Sequence, residues 1–231
     1  MPLQAELVAR TGSTNTDLLA RARAGHWQPC LRVAYHQDAG RGRRQREWVA
    51  APGQHLTLSL GLPLQPVSWS GLSLVVGVAL AEQLPEAVQV KWPNDLWVND
   101  AKLGGVLIES VQRGERAYCV VGIGLNGAAA PAAVGQATTC LQALAPEVAT
   151  PGWLPRLVPA VLAALLNFAR TGFAPWVNRF AARDALQARQ VWLSDGRQGQ
   201  AHGVNEQGAL QLRTADGVQP IVTEEVSVRP C

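Results

Sequence analysis

From Gln190 onward the sequence changes its period. Short alternating runs (VWLS, QAHGV, ALQLR, QPIV, EVSVR) recur with Asp195-Gly196, Gln207-Gly208 and Asp216-Gly217 between them. Hairpin spacing sustained over about 40 residues describes a small β-barrel. Everything before it mixes strand and helix periods, which describes an α+β domain carrying that barrel at its end. The expected division is a larger domain over 1–187 and the barrel over 188–231. The sequence shows no internal repeat.

Within the larger part, Ser13-Thr14-Asn15 precedes TDLLARARAG, which reads as a capped helix stopped at Gly25. A strand is expected over 31–37. Another is expected over 55–62, where HLTLSLGL alternates as a half-buried strand should. The Gly/Arg-rich segment 38–48 is then a loop between two strands. A helix is expected over 70–84, and short strands over 88–91, 96–98, 103–110 and 118–125. Pro93-Asn94, Asn99-Asp100 and Arg113-Gly114 supply the turns between them. Segments 153–170 and 175–186 have helical patterning, while the Ala, Pro and Gly of 128–151 define no element.

Several classes fall away. The longest strongly apolar stretch, 72–81, is half of the roughly 20 residues that a membrane helix needs. The start has no apolar h-region of a signal peptide. The four cysteines form no C-x-x-C pair and the four histidines do not cluster with them, so nothing supports a zinc site, and a reducing cytoplasm is the expected setting. With net charge +3 and 16% charged residues, any basic function must be local.

Three segments carry chemistry. Gly40 to Trp48 reads GRGRRQREW, with four arginines in six residues. Their mutual repulsion is expected to hold the loop open until an anion arrives. Arg41 and Arg43, alternating around Gly42, can fork onto phosphate oxygens, and Trp48 offers a flat face to a ring. A solvated basic loop or an unspecific nucleic-acid patch would have the same composition.

The second segment is Lys91-Trp92-Pro93-Asn94-Asp95, with Lys102 at the head of KLGG. Of the 20 basic residues 18 are arginine, and these two are the only lysines. Codon bias accounts for the arginines, whereas a site that needs a compact ammonium would account for the exceptions; composition leaves both open. The two lysines flank what reads as a hairpin of about ten residues, and Asp95 could orient a lysine or hold a hydrated Mg²⁺ through water. The third is Gly122-Ile123-Gly124-Leu125-Asn126-Gly127, which matches the dinucleotide fingerprint in letters only. Pro131 and Gly135 interrupt any helix that should follow it.

Together these segments resemble biotin protein ligases: Ser13-Thr14-Asn15, Gln37 followed by GRGRR, KWPND at 91–95, KLGG at 102–105 and GIGLN at 122–126 occur in that family's order and spacing. The resemblance implies an α+β catalytic domain on a mixed β-sheet packed with helices, of the class II synthetase-like biotin-lipoate ligase fold, followed by an SH3-like barrel. It implies that biotin and Mg-ATP form biotinyl-5'-AMP, and that the biotinyl group passes to a lysine of a biotin carboxyl carrier protein of acetyl-CoA carboxylase.

Carried over by residue, Ser13, Thr14, Asn15 and Gln37 line the biotin pocket, with Arg41, Gly42 and Arg43 on a ligand-ordered loop. Lys102 sits at the biotin carboxylate and the α-phosphate and, with Arg41, is catalytic. Arg43, Arg46, Trp48, Lys91, Asn94 and Asp95 serve the adenylate, and Asn126 lies near the adenine. The metal ligands stay unassigned. Gln45 stands where the family often has glycine, which bears on loop flexibility and on dimerisation through the loop. The dozen residues before Ser13 leave no room for a winged helix-turn-helix, so the expectation is a ligase without sequence-specific DNA binding and without a membrane anchor, a homodimer being admitted. A lipoate ligase or octanoyltransferase on the same scaffold, and a non-enzymatic nucleic-acid module, are the alternatives.

Overall fold

A computed structural model describes residues 2–131, 135–222 and 228–230. In chain order the first elements are β1 (Gln4–Val8), α1 (Thr14–Arg23), β2 (Cys30–Ala34), β3 (His55–Pro63), α2 (Leu72–Ala81), β4 (Gln89–Lys91) and β5 (Asp95–Val98). Then come β6 (Ala101–Arg113), β7 (Arg116–Asn126), α3 (Leu141–Leu144), α4 (Leu154–Thr171) and α5 (Val177–Ala181). Strands β8 (Gln190–Leu193), β9 (Gln198–Val204), β10 (Leu210–Thr214), β11 (Gly217–Ile221) and β12 (Val228–Pro230) end the chain. The chain divides into two compact units, Met1–Gln65 with Ala101–Arg156, and Pro66–Asp100 with Leu157–Cys231.

In the first unit the strands lie in the order β1-β2-β3-β7-β6, with β1 parallel to β2 and the other pairs antiparallel, so the sheet is mixed. The stripe of α1 that faces this sheet explains its position. Leu18, Leu19 and Ala22 are buried one helical turn apart and pack with Cys30, Tyr118 and Val120. Burying each leucine is worth about 2 kcal/mol. The same stripe continues back to the buried Thr14 and Asn15, so the packing of the helix also delivers two polar side chains to the sheet. Ser13 is the N-cap, its hydroxyl accepting from the Thr16 N–H at 3.5 Å, and Gly25 at φ 95° lies just past the helix end.

Strand β3 differs from expectation: all but its last residue are buried. Its alternation is real, but β2 and β7 flank it on both edges and its polar face is covered by the start of α1 instead of by water. Thr57 there donates to the Ala34 carbonyl at 2.9 Å. The GIGLN run lies inside β7, where the register pairs Gly122 with Ser59 and Gly124 with Thr57. It is a strand interior, not a nucleotide-binding turn.

In the second unit α2 is buried at every position except Ser73, which is why it carries no amphipathic signal. Gly71 precedes it at φ 82°, and a side chain there would meet the Phe173 ring at 2.6 Å. Strands β4 and β5 form a tight hairpin that pairs Lys91 with Asp95 around the expected Pro93-Asn94 turn. Helix α5 is shorter than the expected 175–186 helix, following a single 3-10 turn over Ala174–Trp176. Segment 150–171 is long and apolar enough to cross a membrane by length and composition, contrary to the sequence reading that stopped at 72–81. Its stripe of Leu157, Val161, Ala164, Leu165 and Phe168 is nevertheless buried, the pattern of a core helix. Strands β8 to β12 form the antiparallel sheet in the order β11-β10-β9-β8-β12. Of the expected EVSVR strand, residues 225–227 lie outside the described residues, while Val228 and Arg229 are in β12.

Asp184 is the buried acid of this unit. One carboxylate oxygen accepts from the Leu186 N–H at 2.8 Å, the other is buried without a partner, and burial pushes the carboxyl up to about 6. The native state therefore holds a proton over a range where the unfolded chain, at 3.8, has lost it, and stability falls as pH rises toward and through about 6. Asp184→Asn keeps the acceptor for Leu186 and removes the buried charge. It is expected to stabilise the protein by about 1–3 kcal/mol at pH 8 and by much less at pH 4. Urea denaturation at the two pH values checks this, and an equal effect at both would contradict it.

Candidate functional site

The polar start of α1 meets three other segments of the first unit. The Thr14 N–H and hydroxyl both reach Gln37 Oε1, at 2.7 and 3.1 Å. Ser59 Oγ, from β3, lies 2.7 Å from Thr14 Oγ1 and 2.5 Å from Asn15 Oδ1. Asn15 Nδ2 donates to Glu109 Oε2 on β6 at 2.9 Å. Thr14, Asn15, Gln37 and Ser59 are all buried.

Counting hydrogens shows what this chain of groups wants. The contacts Gln37–Thr14, Thr14–Ser59 and Ser59–Asn15 are three, and the two hydroxyls have one proton each. With the Thr14 N–H serving Gln37, every pairing has its donor, and the spare lone pairs of Gln37 Oε1 and Asn15 Oδ1 are what the cluster offers to a ligand N–H. Beside it three positions of the sheet carry no side chain of their own: Gly105 pairs with Gly124, and Gly122 with Leu107, across β6 and β7. Gly122 and Gly124 are half-buried, a trough suited to a flat ring against backbone.

The arginine loop is folded, not open. Trp48 N–H donates to the Gly40 carbonyl at 2.9 Å, Gly42 N–H to the Arg46 carbonyl at 2.7 Å, and Arg41 bridges Glu47, making a hairpin over 40–48. Arg44 and Gln45 form its tip at φ 56° and 59°. A left-handed conformation costs a non-glycine residue about 1 kcal/mol, which is the physical meaning of a glycine preference at position 45. Like-charge repulsion is outweighed here by the backbone bonds and by Glu109, which accepts from Arg41 Nη2 at 2.7 and 3.0 Å. Arg43 is half-buried and Arg46 exposed. The hairpin brings the Trp48 indole back onto β7, where a Cβ on Gly124 would stand 2.6 Å from the ring. Trp48 and His55 meet edge to face at 6.4 Å, and burial lowers the His55 pKa, favouring neutral imidazole.

Lys102 opens β6 with its backbone held on both sides. Its N–H donates to the Ala137 carbonyl at 2.8 Å, and its carbonyl accepts from the Thr139 N–H at 3.0 Å and from Asn126 Nδ2 at 3.2 Å. Asn126 Nδ2 also donates to the Thr139 carbonyl, so this amide braces the lysine, and Asn126 Oδ1 is buried without a partner.

Ser13, Thr14, Asn15, Gln37, Arg41, Gly42, Arg43, Arg46, Trp48, Lys102 and Asn126 thus share the first unit. Lys91, Asn94 and Asp95 belong to the second. There Lys91 is buried with its ammonium 4.5 Å from the Trp97 ring centroid, and Asn94 and Asp95 are half-buried at the hairpin turn. Sequence reading missed Ser59, His55 and Glu109. The signal available was polar residues inside otherwise apolar strands, LTLSL and VLIES, although pairing partners are needed to give it meaning.

Residues 7–126, which hold most of these groups, match the Biotin/lipoate A/B protein ligase family. The chain belongs to this family. A biotin–(acetyl-CoA-carboxylase) ligase of Paracoccus denitrificans is 34% identical over 241 residues, covering 95% of this chain and 98% of the relative. The bifunctional ligase/repressor BirA of Escherichia coli is 36% identical over 210 residues, covering 85% of this chain, which spans 65% of that relative's length. Among solved structures, the biotin protein ligase from Aquifex aeolicus, in complex with biotin and ATP, has the same fold, with TM-score 0.81, 24% identity and 99% of each chain covered. The mixed sheet with helices, followed by an antiparallel sheet, is this ligase fold.

Among the described residues no group of three or more His, Cys, Asp or Glu side chains could hold a metal ion.

Proposed function

We propose that the protein is a biotin–(acetyl-CoA-carboxylase) ligase. The observation that carries this reading is the buried hydrogen-bonded chain of Gln37, Thr14, Ser59 and Asn15 beside the glycines of β6 and β7. A ureido ring is flat and brings two N–H donors, which the spare acceptor lone pairs of Gln37 and Asn15 can receive. The family membership and the 34% identical ligase support the same conclusion.

In the first half-reaction the biotin carboxylate attacks the α-phosphorus of ATP, forming the mixed anhydride biotinyl-5'-AMP and releasing pyrophosphate. Two anions must be brought together, and preorganised cations lower that barrier. Lys102, with its backbone clamped, and Arg41 take this role, while Arg43 and Arg46 serve the phosphates. Trp48 packs at the adenine, and Asn126, whose amide nitrogen is already used, offers Oδ1 as acceptor to an exocyclic amine. Mg²⁺ enters with the nucleotide, held by phosphate oxygens and water.

In the second half-reaction the lysine amine of a biotin carboxyl carrier domain attacks the acyl carbon and AMP leaves. The protein supplies no nucleophile in either step. We assign this chemistry to residues 1–187 and a separate SH3-like barrel to 188–231. Free thiols at Cys30, Cys119 and Cys140 suit a reducing cytoplasm.

The test is incubation with biotin, Mg-ATP and an apo carrier domain, read by streptavidin blot, with lipoate and octanoate as competitors. ATP-dependent labelling of the carrier lysine is expected. Absence of transfer, or preferential transfer of lipoate or octanoate, overturns the reading.

A further inference from the structure

One carboxylate joins the two halves of the pocket. Glu109, half-buried on β6, accepts from Asn15 Nδ2 at 2.9 Å and from Arg41 Nη2 at 2.7 and 3.0 Å. Asn15 belongs to the start of α1 and Arg41 to the base of the arginine hairpin, 94 and 68 residues away in sequence. We propose that Glu109 is a positioning residue for biotin activation: it fixes the orientation of the Asn15 amide and anchors Arg41, so that the hydrogen-bonding wall and the cationic hairpin face one substrate in register. This rests on the reading of the pocket as a biotin site.

The argument for Asn15 is one of valence. An ionised carboxylate only accepts, so the edge of the Asn15 amide facing Glu109 must be its NH2, and its oxygen must face Ser59. A flipped amide would set oxygen against carboxylate and NH2 against a hydroxyl that is needed as donor. Which hydrogen-bonding pattern the pocket presents is therefore decided from β6. The argument for Arg41 is electrostatic. Four like charges within six residues disfavour any single arrangement of the hairpin, and Glu109 neutralises the one nearest the sheet. Glu109 is not proposed to contact the reacting carboxylate or phosphorus; it acts through the two side chains that do the binding.

Glu109→Gln is nearly the same shape, and its one carbonyl oxygen can take the Oε2 place that accepts from both Asn15 and Arg41, but its NH2 then faces Arg41 Nη2 where Oε1 accepted and the charge that anchors Arg41 is gone. The expected result is a biotin KM raised about tenfold, with kcat within about threefold and the melting temperature within about 2 °C of wild type. A merely structural role would lower the melting temperature and the active fraction and leave KM alone.

Asn15→Asp provides a second, independent reading by placing carboxylate against carboxylate. It is expected to raise biotin KM more than Glu109→Gln does, with recovery as the pH is lowered, because a protonated carboxyl at 15 restores the donor to Glu109. The double variant Asn15→Asp with Glu109→Gln recreates a donor–acceptor pair with the roles exchanged. It is expected to return to within about threefold of Glu109→Gln alone. If wild type forms no biotinyl-5'-AMP, the reading of the site fails first. If wild type is active but Glu109→Gln leaves biotin KM unchanged, or the two substitutions are simply additive, the positioning role is overturned while the biotin site stands.

Discussion

Lys102→Arg is expected to slow biotinyl-5'-AMP formation by about 100-fold or more, although the charge is kept and the melting temperature stays within about 2 °C of wild type. The reason lies in how the residue is mounted. Its N–H and carbonyl are tied to Ala137, Thr139 and Asn126, so Cα cannot retreat to accommodate a longer side chain. A guanidinium is planar, carries its charge farther out and donates as a fork. An ammonium is a point that can sit between a carboxylate and an α-phosphate. Pyrophosphate release measures the half-reaction without the carrier. Activity within about twofold of wild type would remove Lys102 from the role given to it.

The same residue shows what could be read from the chain in advance. Retention of lysine at only two positions in an arginine-rich sequence marks Lys91 and Lys102 without any three-dimensional information, and the structure adds how Lys102 is mounted. The capped start of α1 was equally legible, because a serine N-cap, an apolar stripe and a glycine stop are local features. Long-range pairing was not legible. HLTLSLGL alternates as a half-exposed strand does, and only the knowledge that β2 and β7 lie on either side, with α1 above, turns Ser59 into a pocket residue. Glu109 was invisible for the same reason, since both of its partners come from distant segments. The arginine loop was misread because repulsion was weighed without the backbone bonds that close it and without the carboxylate that β6 supplies. Helix α4 lies where the 153–170 patterning places it, but its apolar length escapes a search for unbroken runs because Pro159 and Asn167 interrupt it.

Gly122→Ala tests the trough, and here steric and conformational effects separate. Gly122 has no positive φ, so the strand accepts alanine without backbone strain. The added methyl, however, would stand 2.9 Å from Asn15 Cγ and 3.0 Å from Nδ2. Asn15 cannot yield: its amide is held by Ser59 on one side and Glu109 on the other, and α1 is pinned by Leu18, Leu19 and Ala22. Either the methyl displaces the amide, breaking the pocket wall, or it fills the space where a ring would lie. Both lower biotin affinity, by about 10- to 100-fold if overpacking costs its usual amount. Gly124→Ala serves as comparison, because its methyl meets the Trp48 indole on the 40–48 hairpin, where the neighbour can shift. Its main effect should fall on ATP, with biotin affinity reduced less. Titration calorimetry with biotin alone distinguishes the two variants. Biotin affinity unchanged within about threefold in Gly122→Ala would mean that the ring does not lie against β7, and the pocket would have to be sought elsewhere on the first unit.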